Sequence, residues 1–181
     1  KNILNFCGKP LIAWSIEHAK SSSIINRVMV STDCNEIARI ALLYGAEVPF
    51  IRPSELAQDD TPEWLAWQHA LRFIREKIDK LPKMLVSIPT TSPLRSVEDI
   101  DACIDLYERK KPDAVITVSE ARRNPYFNMV RQDEYGHSVL ACPPIENIYN
   151  RQNSPKIFDM TTVAYVVNPS FVMKKKSLFD G

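Results

Sequence analysis

Between Leu81-Pro82 and Ser96 the sequence passes from an apolar run, Met84-Leu85-Val86, through Ser87-Ile88-Pro89-Thr90-Thr91-Ser92-Pro93-Leu94-Arg95, to an acidic helix start, Ser96-Val97-Glu98-Asp99. The run has the length of a buried strand rather than of a helix, and a turn-prone pair precedes it. A strand therefore feeds a loop of hydroxyls and prolines, and the loop feeds a helix. In open α/β sheets, ligands bind beyond the carboxyl ends of such strands. The prolines hold the loop at a fixed φ, and the hydroxyls offer hydrogen-bond donors. The same residue types mark ordinary turns. Local chemistry alone leaves a ligand loop and a plain connection equally open.

The rest of the chain alternates in the same manner. Pro10 opens a helix over residues 10–20, with Leu11, Trp14, Ile16 and Ala19 on its apolar side. Arg27–Asp33 reads as a strand, and Asp33 as the cap of a helix over Glu36–Tyr44, with Gly45 at its C′ position. Ala46–Phe50 is a short strand, and a long helix over Glu63–Lys80 follows a polar loop. Trp64 and Trp67 share one face of that helix, which predicts core packing before a stacking platform. The helix after Ser96 ends in Arg109-Lys110-Lys111, cations that complement its dipole. Ala114–Val118 and Val163–Val167 read as further buried strands, the second followed by Asn168-Pro169 and a short helix. Alternation of this kind predicts an α/β fold, a largely parallel sheet with helices on both faces.

Composition narrows the function. A net charge of +1 gives no bulk electrostatic case for nucleic acid or an anionic membrane. No apolar run approaches the length of a membrane span. Cys7, Cys34, Cys103 and Cys142 are scattered, with no histidine near enough to complete a zinc set. Four glycines against thirteen prolines include neither a GxGxxG pattern nor a P-loop. From Ser119 to Pro155 the patterning loosens, and Arg122, Arg123, Arg131 and Arg151 are interleaved with Tyr126, Phe127, Tyr135 and Tyr149. Such a mixture suits a clamp for a sugar acid or a subunit contact. The chain opens on Lys1-Asn2 without a methionine and stops at Gly181 without a closing element, so a piece trimmed at both ends is expected.

Several stretches in series resemble the acylneuraminate (CMP-sialic acid) cytidylyltransferase family. They are Lys1-Asn2, Gly8–Trp14, Val30–Asp33, Ala46–Phe50, Arg52–Ala57, Thr91–Arg95 and Arg151-Gln152, in that family's order and spacing over nearly the whole chain. The resemblance implies a Rossmann-like, three-layer nucleotide-diphosphosugar transferase fold, with residues 1–181 as a single domain and 119–155 as a sugar-site and dimerisation arm. It implies transfer of CMP from CTP to the anomeric hydroxyl of a sialic-acid-like keto sugar acid, with release of pyrophosphate, by a cytoplasmic homodimer using Mg²⁺. Carried over by position, Lys1, Asn2, Arg52, Thr91 and Ser92 fall toward the nucleotide. Arg151, Gln152, Asp159 and Thr161 fall toward the sugar acid. Arginine suits carboxylate and phosphate, and hydroxyls suit a polyol. No residue is assignable as catalytic, and Asp33 is the one weak metal candidate.

The departures from the family pattern are specific. The basic phosphate loop that precedes Lys1 in the family and the metal-binding aspartates that follow its last helix lie outside this sequence. Pro89 stands where members commonly carry glutamine. Asp159 stands in a stretch where sialic acid enzymes often carry arginine, which favours a sugar acid bearing extra amines. An eight-carbon keto sugar acid as the acceptor, another sugar nucleotidyltransferase activity, and a non-catalytic nucleotide-binding or assembly module are the alternatives.

Overall fold

A two-residue hairpin starts the fold. β1 (Asn5–Phe6) pairs antiparallel with β2 (Lys9–Pro10) across a turn in which Cys7 and Gly8 both take positive φ. Gly8, at φ +92°, has no Cβ to strain this turn. The fixed φ of Pro10 then hands the chain to α1 (Leu11–Ser21). In this computed structural model, residues 1–144 and 148–181 are described, Arg151 by its backbone only. They form two compact units, Lys1–Thr117 with Thr162–Gly181, and Val118–Thr161.

In the first unit the centre is a three-stranded sheet in the order β3 (Leu85–Ser87), β7 (Phe158–Val167), β4 (Ala114–Glu120), of which β4 and β7 continue into the second unit. Alternate residues of β7 divide between two cores. Ala164 and Val166 pack with Val86 and Val115 against Ile100, Cys103, Ile104 and Tyr107 of α4 (Val97–Lys110). Tyr165 and Val167 point the other way. They meet Trp64 and Leu71 of α3 (Glu63–Ile78) and Phe171 and Val172 of α5 (Pro169–Lys174). This is the two-residue period of a strand buried on both faces. Trp64 packs edge-on against Phe171 and Trp67 against Tyr165, so the tryptophan pair belongs to the core, as expected. A third cluster joins Ile12 and Ile16 of α1 to Ala41 of α2 (Asn35–Leu43) and to Val28, Val30 and Val48.

Helix ends follow the sequence closely. Ser96 and Asp99 close a reciprocal capping box at the start of α4, and Asn168 caps α5 ahead of Pro169. The indole of Trp64 and the amide of Gln68 donate to the carbonyl of Lys175 at 2.9 and 3.1 Å, which satisfies the C-terminal end of α5.

Three local expectations are corrected. Asp33 does not cap α2; the cap position is Cys34, whose N–H donates to Thr32 Oγ1 at 3.1 Å, and the Asp33 side chain stays exposed. No side chain caps the first turn of α2. The segments 27–33 and 46–50 form a single parallel bridge between Met29 and Glu47 rather than regular strands. Glu47 N–H donates to Val28 O at 2.8 Å and Val30 N–H to Glu47 O at 2.9 Å, the slanted bonding of a parallel pair. Finally, β7 runs antiparallel to β3, with Leu85 opposite Val167 and Ser87 opposite Tyr165. Among the described residues no α-helix lies between β4 and β7, so no βαβ crossover imposes a parallel entry.

The second unit contains the hairpin β5 (Val130–Gln132) and β6 (Ser138–Leu140). Its turn is held by Asp133, whose carboxylate accepts from the N–H groups of Tyr135 and His137, both at 2.9 Å. Asn124 organises the approach. Its amide accepts from Tyr126 N–H at 2.9 Å and donates to Pro155 O at 2.8 Å. The stretch 145–147 lies outside the described residues.

Candidate functional site

The loop after β3 is held from below by one side chain. Arg95 is 5% exposed, and among the described residues no carboxylate accepts from it. Its guanidinium donates to Ser15 Oγ of α1 at 2.9 Å, to the carbonyl of Pro89, and to the carbonyl of Thr162 at 3.4 Å. Ser15 Oγ in turn donates to Pro89 O at 3.3 Å. Burial lowers the Arg95 pKa to about 10, still well above neutrality, so the buried group remains a cation. The planar arginine fork reaches a hydroxyl and two carbonyls from one buried position.

Above this anchor the loop presents its hydroxyls. Thr91 Oγ1 lies 3.0 Å, and Ser92 Oγ 2.8 Å, from Thr162 Oγ1. Thr90 Oγ1 donates to Asn2 Oδ1 at 2.9 Å, which ties the start of the chain to the same loop. Asn2 is fixed by its backbone as well, since its carbonyl accepts from Ile12 N–H at 2.8 Å. With Oδ1 occupied, the Asn2 amide nitrogen is the part of the side chain left to donate.

The structure therefore brings Asn2, Thr91 and Ser92 to one loop. Lys1 is exposed beside Asn2, and its carbonyl accepts from Leu4 N–H at 3.1 Å. Arg52 is held elsewhere in the first unit by its backbone N–H, which donates to Thr32 O at 2.8 Å. Arg52 Nε is buried and meets no acceptor among the described residues. A guanidinium with a spare donor suits an anionic oxygen. Gln152, Asp159 and Thr161 belong to the second unit, with Gln152 and Asp159 exposed and Thr161 half-buried. Gln152 lines a cleft of about 350 Å³ there, together with Glu120, Arg123, Asn124, Lys156 and Phe158. The Arg151 side chain lies outside the described residues.

Two residues of this arrangement were not singled out by sequence: Thr162, which both loop hydroxyls meet, and Ser15, under Arg95. Strand parity supplies the signal for Thr162. It lies in register with Ala164 and Val166, on the face of β7 that meets the loop and α4, whereas Thr161 shares the parity of Tyr165 and Val167. Nothing in the helical pattern of α1 distinguishes Ser15 from a buried filler.

No group of three or more His, Cys, Asp or Glu that could hold a metal ion occurs among the described residues, and Asp33 has no such companions. No described helix is long and apolar enough to cross a membrane.

Comparison with known proteins gives a consistent family. A family model described as "Cytidylyltransferase" matches residues 1–171. The chain is 34% identical over 179 residues to the post-translational flagellin modification protein B of Campylobacter coli, covering 99% of this chain and 75% of that protein. It is 33% identical over 179 residues, with the same coverage, to the CMP-N,N'-diacetyllegionaminic acid synthase of Campylobacter jejuni. Among solved structures, a CMP:2-keto-3-deoxy-manno-octonic acid synthetase complexed with CTP superposes with a TM-score of 0.67, covering 98% of this chain and 73% of that one, at 13% identity. At that identity the likeness is one of fold alone, a Rossmann-like α/β architecture.

Proposed function

The chain belongs to the cytidylyltransferase family, and on that basis we propose that it transfers CMP from CTP to the anomeric hydroxyl of a sialic-acid-like nonulosonic acid. The observation that carries the reading is the match of residues 1–171 to the family, together with relatives such as the legionaminic acid synthase over 99% of the chain. The sugar oxygen forms a bond to the α-phosphorus of CTP, the bond to the β-phosphate oxygen breaks, and pyrophosphate leaves. The hydroxyl proton passes to water or to the departing phosphate. Such chemistry rests on positioning and on stabilising charge, so it needs no nucleophilic side chain.

In this proposal the Asn2 amide nitrogen and the Arg52 guanidinium meet the nucleotide, and Lys1 lies at its edge. Thr91 and Ser92 sit between nucleotide and sugar, and Arg151, Gln152, Asp159 and Thr161 meet the sugar acid. Mg²⁺, expected for the complete enzyme, would neutralise charge on the triphosphate; among the described residues no acidic cluster holds it. Asp159 favours an acid carrying amino substituents over N-acetylneuraminate. A homodimer is supported by the apolar surface of the second unit, where Val130, Tyr135, Phe158 and Met160 are all exposed. A cytoplasmic location follows from the supply of CTP.

The test is pyrophosphate release from CTP with N-acetylneuraminate, N,N'-diacetyllegionaminate and an eight-carbon keto acid offered in parallel. Turnover dependent on a nonulosonic acid is expected. Turnover with the eight-carbon acid alone overturns the substrate class, and a clear preference for N-acetylneuraminate overturns the role given to Asp159.

A further inference from the structure

We propose that Thr162 is a substrate-reading residue, and that the cluster Thr91–Ser92–Thr162 recognises the hydroxyl and N–H groups of the sugar rather than any anionic part of it. The inference rests on the reading of the chain as a sugar-acid cytidylyltransferase. Its basis is hydrogen-bond capacity. Three hydroxyls carry three donors and six acceptor lone pairs. The links from Thr162 to Thr91 and to Ser92 use two of each, which leaves one donor and four acceptors. A carboxylate or phosphate offers only acceptors and would find a single O–H. A sugar hydroxyl, an acylamino N–H or an ammonium offers donors and finds four lone pairs.

The cluster is open to a ligand, since Thr91 and Thr162 are both exposed. It is also held in place. Arg95 Nη2 donates to the carbonyls of both Thr162 and Pro89, which ties β7 to the loop. Arg95 is in this sense a positioning residue, acting through Thr162. The arrangement assigns the anionic groups of the substrates to other residues and the donor-rich flank of the sugar to this one.

Thr162→Val and Thr162→Ser separate the roles of shape and hydroxyl. Valine keeps the branched outline that suits a strand, and serine keeps the oxygen. With purified protein, calorimetric affinity for N,N'-diacetyllegionaminate is expected to fall about five- to tenfold in Thr162→Val and to stay within about twofold of the parent in Thr162→Ser. Where turnover is measured, KM for the sugar acid rises by the same factor while KM for CTP is unchanged. Equal affinity in Thr162→Val and the parent overturns the inference, and so does absence of binding by the parent to any of the acids named above. Binding that depends on Thr162 without pyrophosphate release supports the inference and counts against the transferase reading alone.

Discussion

Arg95 Nη2 donates to the carbonyl of Thr162 at 3.4 Å, joining residues 67 positions apart by a charged group that meets no carboxylate among the described residues. The same guanidinium bonds Ser15 and Pro89, so α1, the loop and β7 share one buried cation. Replacing it leaves buried acceptors unpaired and at the same time removes a desolvated charge. The first effect wins for Arg95→Met, with an expected loss of about 1–3 kcal/mol in stability. Arg95→Lys recovers less than half of this, because an ammonium lacks the planar fork. Urea unfolding of the three proteins checks the order.

Ser96 and Asp99 satisfy each other's backbone donors at the start of α4. Ser96→Ala removes one half of the box and is expected to cost about 1 kcal/mol. Thermal melting shows it as a fall of about 2–4 °C for a chain of this size. Since the loop ends one residue earlier, affinity for a sugar acid should weaken as well, by less than in Thr162→Val.

His18 carries a pH signature. Its Nδ1 is buried and meets no partner among the described residues, and burial first, then the charges of Arg95 and Lys9, hold its pKa below the usual 6.5, with Glu17 opposing them. The unfolded chain therefore takes up this proton before the folded one does. Stability is expected to be complete above about pH 6.5 and to decline as the pH falls from there through the lowered folded value. Urea midpoints measured from pH 7.5 down to 5 should show a decline that becomes shallower in His18→Gln.

Thr90 holds the Asn2 carbonyl oxygen and so aims the amide nitrogen. Thr90→Val is expected to raise KM for CTP about three- to tenfold with kcat largely retained, the cost of about one hydrogen bond. Initial-rate kinetics at saturating sugar acid test this. An unchanged KM for CTP would show that Asn2 needs no such anchor.

Much of the fold was legible because each boundary has a local cause. Ser96 with Asp99, Asn168 before Pro169, and Gly45 past α2 are short-range chemistry, written within four residues. The expected cap of α2 failed because the helix starts one residue later than Asp33 allows, with Cys34 at the cap position and no side-chain bond to the first turn. Strand direction was not legible. Leu85 and Val167 carry no mark of their pairing, which depends on how the chain returns from the second unit. The loop Thr90–Ser92 was visible as polar residues after a strand, and series with Asn2 and Arg52 gave it meaning. Thr162 stayed hidden because its role is a contact across 70 positions, and Thr161 beside it is chemically identical. Only the alternation of β7 tells the two apart.

The sheet order β3-β7-β4 also fixes when the core can form. Both outer strands precede the middle one in the sequence, and they do not neighbour each other. On a ribosome they emerge with their inner edges open, and each must wait for β7. The apolar faces of α3 and α4 wait with them, since Tyr165 and Val167 complete one core and Ala164 and Val166 the other. Such long-range closure slows folding and leaves sticky surface exposed during synthesis. The strand that carries Thr162 to the loop of hydroxyls is thus also the one that completes these two cores.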